Sequence, residues 1–184
     1  FTLAAVFLFA WCAITRAPAG MNRAQHLAAL GIGLFTFAVD YPLVYWAEER
    51  VVSAVVAVVF AAMAFVNLIT FRIVFGQRAP ALAWGAAALG ILGVGILSWN
   101  EIVTAHMGAR ALGGIALAFT GVVAASLGNV AAHRGELAGA SVAASTAWAM
   151  AYGAALLALF ALITGRHWSF APTLPYMLSL LHLA

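Results

Sequence analysis

The sequence predicts an all-α polytopic membrane protein, and three observations carry that prediction. Hydrophobic residues make up 66% of the 184 and charged residues only 7%, against about 25% charged in a soluble domain. Eight basic and five acidic side chains cannot give a globule of this size a polar skin. Apolar runs recur at about the 20 residues that a helix needs to cross a bilayer. They are apolar all round and do not alternate, which excludes membrane β-strands. A soluble enzyme, a nucleic-acid binder and a disordered tail are excluded with them.

Each run is bounded by Arg, Glu, Pro or Gly. Residues 1–15 form the first, closed by Arg16 and Pro18, and residues 26–47 the second, followed by the turn Glu48-Glu49-Arg50. The third, 51–71, ends at Arg72, before the turn-rich stretch Phe75-Gly76-Gln77-Arg78-Ala79-Pro80. The fourth covers 81–99 and leads into a polar stretch, 100–110, with Asn100, Glu101, His106 and Arg110. The fifth, 111–132, is closed by His133-Arg134-Gly135-Glu136, and the sixth, 138–164, is long enough to cross with tilt. Residues 165–175 hold Arg166, Pro172 and Pro175, and a truncated seventh helix covers 176–184. Phe1 opens inside an apolar run with no charged stretch before it, so a signal peptide is a poor reading. The expectation is a piece of a longer chain, with membrane helices missing at both ends.

Arg placement predicts orientation. There is no Lys, and the eight Arg are scattered singly, a topology signal and not a nucleic-acid footprint. Arg16, Arg23, Arg72, Arg78 and Arg134 fall in one set of loops and Arg50, Arg110 and Arg166 in the other, which favours loops 16–25, 72–80 and 133–137 in the cytoplasm. Ala86 with Gly90, Gly121 with Ala125 and Ala124 with Gly128 are spaced as helix-packing seams. Cys12, the lone cysteine, has no partner for an intrachain disulfide and reads as a small buried hydrophobe.

Asp40 is the one acid well inside an apolar run. Such a residue faces a cavity or a partner and is a functional candidate by default; a hydrated acid at the outer interface is the alternative. It opens the polar, aromatic segment Asp40-Tyr41-Pro42-Leu43-Val44-Tyr45-Trp46-Ala47-Glu48. Tyr41 and Tyr45 lie one helical turn apart, so their hydroxyls can share a space. Pro42 frees the carbonyl of Ala38, which membrane depth tolerates only against protein or a water-filled cavity. These features fit a pocket wall, and they also fit an interfacial aromatic belt, the stronger reading for Trp46. Trp148 and Tyr152 share one face of the sixth run, with core packing set against a place on a cavity wall. Asn67 and Asn129 are read chiefly as interhelical hydrogen-bonding groups, and His106 and His167 as solvated loop histidines.

The chain has no HExxH, GxSxG, CxxC or phosphate loop, and no His or acidic pair at ligand spacing within a helix. No cofactor and no metal are therefore expected, and a membrane-embedded enzyme is disfavoured.

At Asp40-Tyr41 through Tyr45-Trp46-Ala47-Glu48 the chain resembles the EamA family of the drug/metabolite transporter superfamily. The similarity runs over residues 40–99: a turn at Arg50, a Ser/Ala/Val helix from Ser53, Gly76-Gln77-Arg78 where relatives usually have Gly-Glu-Arg, then Trp84-Gly85 with Gly90, Ile91 and Gly93. Gly128-Asn129-Val130 is similar to the family's sixth helix. The chain departs from the family at Gln77 for the usual acid, at Ala64 where many relatives have Pro, and at Asp40, often Asn.

The resemblance implies ten helices in two inverted five-helix repeats, with residues 1–15 as the second helix and 176–184 as the start of the eighth. Residues 1–103 would then belong to the first repeat and 104–184 to the second, and Phe7–Arg16 and Leu157–Arg166 share an apolar run ending near Ile-Thr-Arg. It also implies a secondary transporter in a bacterial-type inner membrane, exporting small metabolites, foremost amino acids, by alternating access. The expected partners are that small-molecule substrate and membrane lipid, without nucleic acid; oligomeric state is open. The expected substrate-binding residues are Tyr41, Tyr45, Trp46, Asp40 and Trp148. A non-transporting subunit that packs against a partner is the rival, and a continuous polar track through the bundle separates the two.

Overall fold

The computed structural model describes residues 1–16, 20–105 and 110–165, and among them there is no strand. The described residues form seven helices in order: α1 (Thr2–Ile14), α2 (Arg23–Glu48), α3 (Ser53–Phe75), α4 (Ala81–Leu97), α5 (Trp99–Thr104), α6 (Arg110–Leu137) and α7 (Val142–Ile163). α2, α3, α6 and α7 are long and apolar enough to cross a membrane, while α1 and α4 are shorter, at 13 and 17 residues. Helices satisfy their own backbone polar groups, the condition for spanning a hydrocarbon layer. The expected all-α polytopic membrane architecture is what the chain adopts. His106, Arg166, His167 and the truncated seventh helix 176–184 lie outside the described residues.

Helix ends differ from the expected ones for local reasons. α2 begins at Arg23 because Asn22 and Gln25 form a reciprocal capping box, with bonds of 2.9 and 2.8 Å. α3 runs past Arg72 to Phe75 and is closed by Gly76, whose φ of +68° lies in the left-handed region that glycine adopts at least steric cost. Arg72 stays helical because its long stem can carry the charge outward. α3 is also interrupted at Ala62, whose N–H bonds the Val59 carbonyl at 3.1 Å, a tightened turn made without proline. The polar stretch after α4 is helical over Trp99–Thr104, with Glu101 in its first turn, where the helix dipole favours an acid. α6 continues through His133-Arg134-Gly135-Glu136, and His133 and Glu136 lie 3.5 Å apart, one turn along it.

Contacts divide the chain into two compact units. In the first, Phe1–Ala38 with the described residues from Ala131 onward, α1 and the start of α2 pack on α7. The approach is close at Gly153, where a β-carbon would sit 2.5 Å from that of Phe37 and 3.1 Å from the Gly33 carbonyl oxygen. Gln25 ties the start of α2 to the end of α6 by donating from Nε2 to the Ala138 carbonyl at 2.9 Å. Ser141 caps α7 by accepting from the Ala144 N–H.

The second unit, Val39–Val130, holds the end of α2, then α3, α4, α5 and most of α6. Its apolar core is Ala47, Val51, Val55, Val56, Ala111 and Ala118, with Phe60 and Ile115 packed around it. Small residues dominate because helix contacts in lipid rest on backbone proximity and dispersion. Large side chains such as Leu82, Leu97 and Leu112 point outward, as a lipid solvent permits.

Candidate functional site

The site begins with an irregularity in α2. Gly33–Asp40 forms a π-helical stretch that gives way to regular helix at Tyr41, with Pro42 in its first turn. Pro42 offers no amide hydrogen and crowds the turn before it, so the ladder there must be rebuilt. A widened turn is one solution, and such turns are frequent at functional sites. Asp40 stands at the junction.

Asp40 is only 6% exposed, and its Oδ1 is buried without a hydrogen-bond partner among the described residues. Gly121 of α6 makes the room. A β-carbon at 121 would lie 2.8 Å from that oxygen and 3.5 Å from Phe60 Cζ of α3. The carboxyl thus fills the volume that any larger residue at 121 would need. An uncompensated buried carboxylate costs several kcal/mol, so this niche is stable only when a proton, a cation or a ligand donor meets the oxygen.

Two polar pairs link α6 to α3 further along. Ser126, fully buried, donates to Thr70 Oγ1 at 3.0 Å, and Thr70 donates on to the Val66 carbonyl at 2.7 Å. Asn129 Nδ2 donates to Asn67 Oδ1 at 3.2 Å. Gly121, Ser126 and Asn129 span roughly 12 Å of α6 at 1.5 Å per residue. Polar groups therefore recur along one helix pair within this unit. The Asn67–Asn129 pair lines a cleft of about 430 Å³, together with Leu68, Phe71, Gln77, Arg78, Ala79 and Pro80.

The remaining expected residues are placed as follows. Tyr41 and Tyr45 are exposed, at 39% and 64%, and Trp46 is half-buried, with its carbonyl accepting from Arg50 Nη1 at 2.6 Å. These three and Asp40 lie in the second unit, Trp148 in the first. Trp148 packs edge-on against Phe9 (5.2 Å between centroids) and His26 (4.8 Å). Tyr152 stacks on it at a tilt, and its hydroxyl shares a hydrogen bond of 2.9 Å with His26 Nδ1. Gly121 and His26 are not among the residues expected from the sequence to form the site. The spacing of Gly121 marked only a packing seam, and nothing in the chain pairs His26 with a residue 126 positions away. Among the described residues, no three His, Cys, Asp or Glu side chains gather to hold a metal ion.

No curated protein and no solved structure matches the chain. The profile of the EamA-like transporter family matches residues 1–99, more than half of the 184. Its extent takes in α1 to α4 with the irregular α2 and the turn at Gly76, and the chain belongs to the EamA-like transporter family, an integral membrane protein of transporter type.

Proposed function

We propose that the chain forms part of a secondary transporter that exports small metabolites, foremost amino acids, across a bacterial-type inner membrane by alternating access. The observation that carries this reading is the buried Asp40 carboxyl, seated against Gly121 without a hydrogen-bond partner among the described residues. An ionisable group kept at membrane depth at such cost marks a substrate or ion pathway. Asp40 serves either a substrate ammonium or a coupling proton. Tyr41, Tyr45 and Trp46, on the same helix, supply an aromatic, weakly charged wall suited to amphipathic metabolites. Trp148 is a substrate contact within its own aromatic cluster. Residues 1–103 and 104–184 are parts of two inverted repeats in this reading.

A module that only packs against a partner has no use for an unpaired buried acid, whereas the Ser126–Thr70 and Asn67–Asn129 bonds suit either reading. Flux of labelled amino acids into proteoliposomes of the full-length protein tests the proposal, with the folded Tyr45→Ala variant run beside it. Saturable flux, reduced about fivefold in the variant, is expected from losing one aromatic contact of about 1 kcal/mol. Absence of flux for every amino acid, with folding intact, overturns the substrate class.

A further inference from the structure

The cleft beside the end of α3 shares no residue with the Asp40 niche. Its floor is the Asn67–Asn129 pair, eight residues or roughly 12 Å before the last residue of α3. That single bond uses one amide N–H and one amide oxygen. The NH2 group of Asn67 and the carbonyl oxygen of Asn129 make no other hydrogen bond among the described residues, so a donor group and an acceptor remain to be met. Arg78 stands in the lining, makes no ion pair among the described residues, and has no acidic side chain beside it in the cleft. Leu68 and Phe71 give the same space an apolar wall. The volume of about 430 Å³ falls within the range of about 300–1,000 Å³ typical of small-molecule sites.

We propose that this cleft binds apolar α-amino monocarboxylates. The guanidinium of Arg78 takes the carboxylate through paired charge-assisted hydrogen bonds, the Asn129 amide oxygen accepts from the ammonium, the Asn67 amide donates to the second face of the carboxylate, and Leu68 and Phe71 cover the side chain. Each recognition element has one complement on the ligand. An anionic lipid such as phosphatidylglycerol meets Arg78 and brings acyl chains for Leu68 and Phe71, but it brings no ammonium for the Asn129 amide oxygen. The inference rests on the reading of the protein as a metabolite carrier and adds a site that the reading does not use.

Calorimetric binding to the full-length protein in phosphatidylcholine nanodiscs tests it, with L-leucine, L-methionine and L-phenylalanine as probes. Isocaproate is leucine without its amino group, and isoamylamine is leucine without its carboxylate. Leucine is expected to bind more tightly than either. Arg78→Gln, in an exposed loop where folding is not at stake, is expected to weaken leucine about tenfold or more, as for losing a hydrogen bond to a charged group. Asn129→Ala is expected to bring leucine to the level of isocaproate while leaving isocaproate unchanged. Isoamylamine binding as tightly as leucine, or an unchanged leucine Kd in Arg78→Gln, overturns the proposal. So does loss of leucine binding when phosphatidylglycerol is added, because the cleft is then a lipid site. Leucine flux that persists beside an unaltered Kd in Arg78→Gln sinks the cleft and spares the transporter; absence of both flux and binding for all three probes sinks both.

Discussion

Asp40 and Gly121 show how an acid can be buried between apolar helices. The acid is legible in the sequence, as the one carboxyl well inside an apolar run. Its neighbour is not, because a glycine between Thr120 and Val122, four residues before Ala125, reads as a packing seam, and the two are 81 positions apart. The 2.8 Å between a β-carbon at 121 and Asp40 Oδ1 leaves no slack. Gly121→Ala is therefore expected to displace the carboxyl and to destabilise the protein by about 1–3 kcal/mol, the cost of overpacking a filled site. Unfolding in detergent measures it, and an unchanged midpoint with unchanged transport would mean that the niche has room to give. Asp40→Ala in the same background should lift the penalty, since the atom that clashes is gone.

At the scale of elements, the order and type of the helices follow from the apolar runs, and the disturbance in α2 follows from Pro42. What the runs could not convey is how the ladder is rebuilt, here by π-helical bonding over Gly33–Asp40, nor that α3 breaks at Ala62 with no proline present. The ends of α2 and α6 are joined by a residue of no evident role in the sequence, Gln25, which closes a capping box and bonds Ala138. Gln25→Ala is expected to cost about 1–2 kcal/mol through loss of both contacts, read as a lower unfolding midpoint in detergent. A midpoint equal to wild type would show that neither bond bears on stability.

At the scale of the whole molecule, the low charge and long apolar runs determine the class, and Arg placement predicts an orientation, with five Arg at or near one set of connections and three at the other. Cys12 is wholly buried, so Cys12→Ala provides a background in which introduced thiols report sidedness. With an impermeant maleimide added to intact cells, Glu49→Cys is expected to label and Gln77→Cys to label only after lysis. The reverse pattern would invert the topology.

The proposed transport path depends on Asp40 as its ionisable group. Its central measurement is uptake of labelled amino acid into proteoliposomes of the full-length protein, driven by an imposed pH gradient and compared with exchange at equal pH, for wild type and Asp40→Asn. If Asp40 carries the coupling proton, the variant is expected to lose pH-driven uptake, by tenfold or more, and to keep exchange. If the carboxyl instead holds the substrate ammonium, both fall together. Full pH-driven uptake and full exchange in Asp40→Asn would contradict any role for this carboxyl in transport.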